Sequence, residues 1–504
     1  MEARPDTPPA ARRGVRRWLP WLPVAGLVIP FVVLLIQQLS ELGDRRLPCC
    51  DYSVLELGTR AFLRGEQSTG LYSRGGWRHP GPITFVWSAV ARLLPGHGFA
   101  EHQVATVAMH MAALGAVIVV LRRRLSVPGF TVGVSVLALW VWRFDIDQFR
   151  EPWNPFTAMS WTMAAVVLSV AFATRIGWGA LVAFAAIGSF AVQTHVGSAP
   201  VVVLATILVV RTLRVRWADP GRVGAVRRVL VVVSVTWALP IVDMVFGDHN
   251  LLDVATGTER GWSVGDPWLA TMRLLGAGPS AMGRYFGPES PYVAAHGATA
   301  AEVAGLVIVV LLSALVYARR DRHPFAFQVS ALSWVGVLVT AVMLQTTAGP
   351  FYRYLLLPVV GLSALIWIAG VVVVVETIAS NLPPLVVPLV AALVASVVGV
   401  VTAVGVDSEH LVSRYGSDSI ERSVKAVEQT CDSLPDEVVV EVSDVGGEIA
   451  WSEAMPVIVA LDRCTSVSVT GVSGFIAGPG FTAADDAVPN YRIDGTGWSA
   501  VAAD

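Results

Sequence analysis

The chain has 504 residues, of which 54% are hydrophobic and only 15% charged, and its mean hydropathy is +0.61. A soluble domain carries about 25% charged residues, so this composition excludes an ordinary soluble enzyme, and four cysteines are too few for a disulfide scaffold. The net charge of −2 is the sum of +10 over residues 1–406 and −12 over residues 407–504, which excludes a basic nucleic-acid-binding chain and implies two regions in different solvents.

Crossing a bilayer core about 30 Å thick takes roughly 20 apolar residues in a helix. Eleven such runs are expected, at about 18–39, 102–121, 129–143, 156–174, 177–194, 198–213, 228–246, 302–318, 326–345, 354–375 and 384–405. The first follows Arg12, Arg13, Arg16 and Arg17 in a short tail, 1–17, and has no small-residue cleavage site, so it reads as a retained span that starts in the cytoplasm. Counting onward, Arg122 to Arg124, Arg175, the basic stretch from Arg211 to Arg228, and Arg319, Arg320 and Arg322 all fall in loops on the side of the N-terminus. Cytoplasmic loops carry such an excess of Arg and Lys. The expected protein is therefore an α-helical polytopic membrane protein with the N-terminus inside and the C-terminus outside. Its membrane region is 18–406, with outer loops at 40–101, 144–155, 248–301 and 346–353. The apolar run from Ile83 to Leu94 is too short to cross and is expected as an interfacial helix.

From 407 onward the charge rises, and β-branched runs at 437–442, 456–461 and 465–469 alternate with Gly, Pro and Asp. A small extracytoplasmic α/β domain is expected there, opened by a helix at 419–429 and standing off the membrane because its surface is anionic. Cys431 and Cys464 are candidates to pair. Cys49 and Cys50 are expected as two free or separately engaged thiols.

Polar residues gather on the predicted outer face. Asp51 and Glu56 lie in a segment whose Val54, Leu55, Leu57, Ala61, Phe62 and Leu63 fit an amphipathic helix lying on the membrane. There Asp51 is either a capping carboxylate at the helix N-terminus or a proton acceptor. Tyr72, Ser73 and Arg74 lead through two glycines to Trp77, Arg78, His79, Pro80, Gly81 and Pro82, a path held by Gly and Pro. Guanidinium forks match phosphate oxygens, and equally suit lipid head groups. Further outer loop ends carry Arg143, Asp145, Asp147, Arg150, Glu151, Trp153 and Asn154, then Gln193, Thr194 and His195, then Tyr352, Arg353 and Tyr354. Such a mixture suits chemistry between a hydroxyl, a sugar and a phosphate: a carboxylate accepts a proton and cations stabilise a leaving phosphate.

An acidic residue just after the first span, an amphipathic outer loop, Tyr72-Ser73-Arg74 and then His79-Pro80-Gly81-Pro82 together resemble the GT-C class of integral membrane glycosyltransferases. The chain is similar to the lipid A aminoarabinose transferases and protein O-mannosyltransferases, and Trp153-Asn154-Pro155 and Gln193-Thr194-His195-Val196 resemble actinobacterial-type relatives. The resemblance covers about 400 residues of membrane region and does not extend to the tail. It implies a polyprenyl-phosphate-linked sugar donor in the outer leaflet, inversion at the anomeric carbon, and a glycan, lipid or protein acceptor. By the same matching Asp51 is the catalytic base, Arg78 and His79 lie in the loop approaching the donor, and Arg353 suits the lipid phosphate. Tyr72, Arg74 and His195 complete the expected donor-binding set. The class commonly has adjacent acidic residues, whereas Tyr52 follows Asp51 here and the second acid, Glu56, is five residues on. Neither a metal nor another cofactor is expected.

Two other classes remain open on the sequence: a transporter or lipid or glycan flippase, and a non-enzymatic assembly or sensor protein acting through its acidic tail. Transporters place ionisable groups near the bilayer midplane, whereas these lie at helix ends. There is no phosphate-binding G-x-x-x-x-G-K-[ST] loop, dinucleotide fingerprint or zinc spacing, and no inner loop is long enough for a cytoplasmic nucleotide-sugar domain.

Overall fold

The structure, a computed structural model, describes residues 18–44, 48–73, 75–96, 98–256, 263–264, 267–278, 299–347, 349–350, 352–407, 418–443, 449–484, 486–494 and 497–501. In chain order the helices of the first 406 residues are α1 (Leu22–Ser40), α2 (Asp51–Arg64), α3 (Ile83–Ala91), α4 (Ala100–Arg124), α5 (Val127–Phe144), α6 (Asn154–Ala173), α7 (Trp178–Thr194), α8 (Ala199–Val215), α9 (Arg222–Phe246), α10 (Asn250–Thr256), α11 (Pro267–Ala277), α12 (Ala300–Ala318), α13 (Pro324–Gln345), α14 (Leu357–Ile378) and α15 (Val386–Val404). Each of the eleven expected runs coincides with one of them. Ten helical stretches are long and apolar enough to cross a membrane, and α7, with 17 residues, is a shorter apolar helix.

Burial sorts these helices. α6 is buried along almost its whole length, against α4, α7, α8 and α14. Its many Ala, Ser and Thr residues let neighbouring backbones come close. α9 and α12 instead leave most of their Val and Leu side chains exposed, the pattern of helices facing lipid. The tightest contact joins α1 and α15: a Cβ at Gly26 would stand 2.3 Å from the Ala395 carbonyl oxygen, and one at Gly399 only 2.2 Å from that of Gly26. Those two glycines are therefore required by backbone-on-backbone packing.

The expected alternation of helix ends is visible in polar ties. Gln37 Nε2, near the end of α1, donates to the Asp407 carbonyl (3.0 Å), and the Asp407 N–H donates to Asp147 Oδ2 (3.1 Å) in the α5–α6 connection. Arg150 pairs with Asp147 at 3.1 Å. At the opposite end Glu376, near the end of α14, accepts from Ser126 before α5 (2.7 Å) and pairs with His323 before α13 (2.9 Å).

Beyond 407 the described elements are α16 (Asp418–Thr430), α17 (Ile449–Leu461), the short α18 (Gly471–Ala477) and a sheet. Strands β1 (Ser263–Val264) and β2 (Gly349–Pro350) form a separate two-residue parallel pair within the membrane region. The C-terminal sheet has β3 (Glu437–Val442), β4 (Ser466–Val469), β5 (Tyr491–Asp494) and β6 (Gly497–Ala500), in the order β4-β3-β5-β6, with β3 parallel to both neighbours and β5–β6 antiparallel. Two strand expectations hold, and the third does not: Pro456 to Leu461 is the end of α17. A short apolar run cannot be assigned to strand or helix by periodicity. Here burial on all sides, with Met455, Ile458, Val459 and Leu461 inaccessible to solvent, overrides the β-propensity of its branched residues.

Two further expectations change. The apolar face of α2 does not lie on lipid. Val54, Leu55, Leu57 and Ala61 share one core with Met455 and Val459 of α17, Val440 of β3 and Phe481. The C-terminal region therefore sits on α2, and its acidic groups are partly neutralised there: Asp462 pairs with Arg60 (3.1 Å) and Arg64 (3.0 Å). Cys431 and Cys464 form a disulfide as expected, but Cys49 and Cys50 are joined to each other rather than left as separate thiols. Cys50 has φ +65° at the sharp entry to α2, which turns the two neighbouring side chains together.

Because Leu57 is fully buried in the core shared by α2 and the C-terminal region, Leu57→Ala is expected to destabilise that interface by about 2–5 kcal/mol. Lower thermal stability of the purified protein, with earlier proteolytic release of a C-terminal fragment, checks this.

Candidate active site at the α2 end of the bundle

α2 begins at Asp51 and ends at Gly65, whose φ of +81° closes the helix. Five residues turn a helix by roughly 140° relative to the starting face, so Asp51 and Glu56 point in different directions. Glu56 is 1% exposed and saturated: Oε1 accepts from Arg60 (2.6 Å), and Oε2 accepts from His102 Nε2 (2.7 Å) and from Arg92. It ties α2 to α3 and α4.

Asp51 has a different setting. Its Oδ1 accepts from the Tyr72 hydroxyl at 2.6 Å. Burial pushes its carboxyl above the ordinary 3.8, and the Tyr72 hydrogen bond opposes that rise. A carboxylate whose pKa is raised is, once ionised, a stronger proton acceptor than an exposed aspartate.

Tyr72 belongs to a small hairpin. The Ser73 N–H donates to the Trp77 carbonyl (2.7 Å), His79 N–H to Leu71 (2.8 Å) and Gly70 N–H to His79 (2.8 Å), with Tyr72 and Arg78 bridged across it. His79 is thus delivered to the fifth span's end: its Nδ1 accepts from the Val196 N–H (3.2 Å), and its ring lies 4.9 Å from that of His195. His195 Nδ1 accepts from the Gly197 N–H (3.1 Å). A ring nitrogen that accepts carries no proton, so each imidazole holds its proton on Nε2. Burial, helped for His79 by the neighbouring His195, holds His79 well below its ordinary value, and burial alone lowers His195 to about 4. Both are neutral donors at pH 7.

Ring contacts carry the site onward. His195 lies 6.4 Å from Tyr354, Tyr354 lies 4.8 Å from Trp153, and Tyr352 stacks on Tyr354 at 5.7 Å. Trp153 packs on Tyr52 and Phe99, and the Tyr52 hydroxyl donates to Glu151 (2.5 Å). The backbone of Arg353 is the first residue of a 3-10 turn between these two tyrosines. Its side chain, like all of Arg74, lies outside the described residues. Around His79 three buried polar groups lack a hydrogen-bond partner among the described residues: Trp77 Nε1, Gln193 Oε1 and Thr194 Oγ1. A Cβ at Gly81 would stand 2.1 Å from Gln193 Oε1, so a larger residue there would displace that side chain.

Arg78 is placed differently from its hairpin neighbours. Its Nη2 donates to the Phe475 carbonyl (2.5 Å), and the guanidinium lies 4.6 Å over the Phe475 ring. Asn250 holds its backbone at both N–H (2.8 Å) and carbonyl (3.0 Å). Burial lowers it to about 10 against the pull of Asp248 and Asp243, so it stays cationic, 7% exposed, beneath the C-terminal region. Phe475, Asn250 and Asp243 escaped sequence reasoning. Asp243, a charge near the end of an apolar span that accepts from the Asn250 N–H (3.0 Å), was the one available signal. Among the described residues no group of three His, Cys, Asp or Glu side chains is arranged to hold a metal ion.

No protein-family model matches the chain. No curated protein matches it either. Among solved structures it is similar to ArnT from Cupriavidus metallidurans bound to undecaprenyl phosphate, with 13% identity, a TM-score of 0.51, and coverage of 92% of this chain and 88% of that one. The apo state of the same protein is found at 14% identity and a TM-score of 0.40, covering 91% and 86%. The first likeness shows a GT-C-like fold, in agreement with the resemblance read from the sequence.

Removing the Tyr72 hydroxyl removes the interaction that lowers the Asp51 carboxyl, so Tyr72→Phe is expected to raise the pH at which Asp51 titrates. The carboxyl band in difference infrared spectra, identified by its loss in Asp51→Asn, checks the direction; a shift to lower pH contradicts it.

Proposed function

We propose that the protein is an inverting glycosyltransferase that moves a sugar from a polyprenyl-phosphate donor to an acceptor hydroxyl. The observation that carries this reading is the half-buried Asp51–Tyr72 pair, joined by one hairpin to two neutral imidazoles and to three buried polar groups without partners among the described residues, within a GT-C-like fold. Undecaprenyl phosphate bound to the ArnT structure supports a lipid-linked donor of the same kind. Few charges lie in the spans, and Asp243 and Glu376 are close to span ends, which favours chemistry at a helix end over passage through the bundle.

In the proposed step Asp51 Oδ2, left available by the Tyr72 bond to Oδ1, takes the proton of the acceptor hydroxyl. The resulting oxygen attacks C1 of the sugar as the C1–O bond to phosphate breaks, and polyprenyl phosphate leaves with the bonding electrons. A single displacement inverts the anomeric centre. Arg353 and Arg74, carried by the segments that bear Tyr354 and Tyr72, are assigned to the leaving phosphate, with His79 and His195 donating from Nε2. Trp77, Gln193 and Thr194 suit sugar hydroxyls. Arg78 acts as a positioning residue, fixing the hairpin to Phe475, and Glu56 as the tie that holds α2.

The Asp51 end is assigned to the extracytoplasmic side, together with the C-terminal domain, 407–504. The support is that Arg124, Arg175 and Arg322 gather at the other end of the bundle, where the positive-inside rule puts the cytoplasm.

Asp51→Asn keeps the shape and removes the base, so release of undecaprenyl phosphate from a panel of undecaprenyl-phosphate sugars in proteoliposomes is expected to slow by about 100- to 10,000-fold. Undiminished release by this variant would overturn the assignment.

A further inference from the structure

The opposite end of the bundle contains a feature that the proposed reaction does not use. Arg124 lies 22 residues along α4 from His102, roughly 33 Å at the helical rise, and so far from Asp51. There the ends of α4, α6 and α14 and the start of α13 line a half-open cavity of about 400 Å³. Its polar lining is Arg124, Thr174, Arg175, Arg322, His323, Gln328 and Glu376.

The charges do not cancel. Glu376 is taken up by His323 (2.9 Å) and by Ser126 (2.7 Å). Arg175 reaches Asp219 only at 3.7 Å and is largely exposed. Among the described residues Arg124 has one long bond, Nη2 to the Ala171 carbonyl at 3.4 Å, and its Nε is buried without an acceptor. Gln328 Oε1 is buried without a donor among the described residues. A role as cytoplasmic anchors requires these arginines to be charged and at a helix end; it gives no reason for a recess between helix ends with a buried N–H left unpaired among the described residues, which costs free energy. The first turn of α13, opened by Pro324, adds the free N–H groups of a helix N-terminus, and Phe325 and Ala326 line the same space.

We propose that this cavity is a binding site for a phosphate-bearing anion, distinct from the Asp51 site. The guanidiniums of Arg124, Arg175 and Arg322 meet the phosphate oxygens, and Gln328 Oε1 accepts from a hydroxyl or ammonium attached to that phosphate. Basic pockets between membrane helices on the cytoplasmic side take lipid head groups in this way. A membrane phospholipid and a soluble phosphate share this chemistry, and the test separates them.

The full-length protein in phosphatidylcholine nanodiscs containing graded phosphatidylglycerol is examined by native mass spectrometry, with inorganic phosphate as competitor. Saturable phosphatidylglycerol binding is expected, weakened about fivefold by each of Arg124→Gln and Arg322→Gln. Arg123→Gln, at an exposed neighbour outside the cavity lining, is expected to leave it unchanged. Displacement by inorganic phosphate identifies the phosphate group as the whole determinant; retained lipid binding without displacement identifies the lipid as the ligand. Both support the site. Equal binding by wild type, Arg124→Gln and Arg322→Gln, or equal weakening by Arg123→Gln, overturns it. Arg322 is exposed, so its variant keeps the test valid if Arg124→Gln unfolds.

Discussion

A buried carboxylate is tolerated only when its charge is matched and its oxygens are bonded, and Glu56 shows what that requirement organises. Arg60, Arg92 and His102 converge on it and thereby fasten α2 to α3 and α4. Arg60 also reaches Asp462, which Arg64 shares, so one network of alternating charges runs from the membrane bundle into the C-terminal region. Removing one partner would strand a charge away from water, which costs free energy. With α2 fixed at its middle, Asp51 at its start has a defined position.

The apolar side of α2 reinforces the same constraint. Its buried residues continue into the core of the C-terminal region, and Arg78 extends the contact through Phe475. The loop that carries His79 is therefore held from two directions, by the bundle at Val196 and by the C-terminal region at Phe475. That region is part of the support of the site rather than an appendage, and its acidic character is used locally at Asp462.

At the site itself the electrostatics are milder than a count of charged residues suggests. His79 and His195 are kept neutral by burial and each accepts a backbone N–H at Nδ1, so they present donors rather than charges. Neutral donors can bind a phosphate or a sugar hydroxyl without the desolvation cost of two more buried cations. In the proposed mechanism the full positive charges then come from the arginines alone.

The eleven apolar runs, the alternation of arginine-rich and polar helix ends, the two correctly read strands at 437–442 and 465–469 and the Cys431–Cys464 pair were legible in the amino-acid sequence. Hydrophobicity over 20 residues and charge at helix ends are local properties that a bilayer converts directly into topology. Asp51, Tyr72, His79 and His195 were legible as polar residues gathered on one predicted face. Their mutual arrangement was not, because it depends on a hairpin closed by backbone hydrogen bonds and on a residue 117 positions away, Val196. Nor did local pattern reveal what covers α2, that 456–461 is helical, or that Glu56 and Arg78 are held by partners from other elements. An amphipathic face states only that something apolar must lie against it, and the same residues fit lipid or protein equally well. Which of the two it meets is decided by long-range packing between segments about 400 residues apart, and only the tertiary structure contains that.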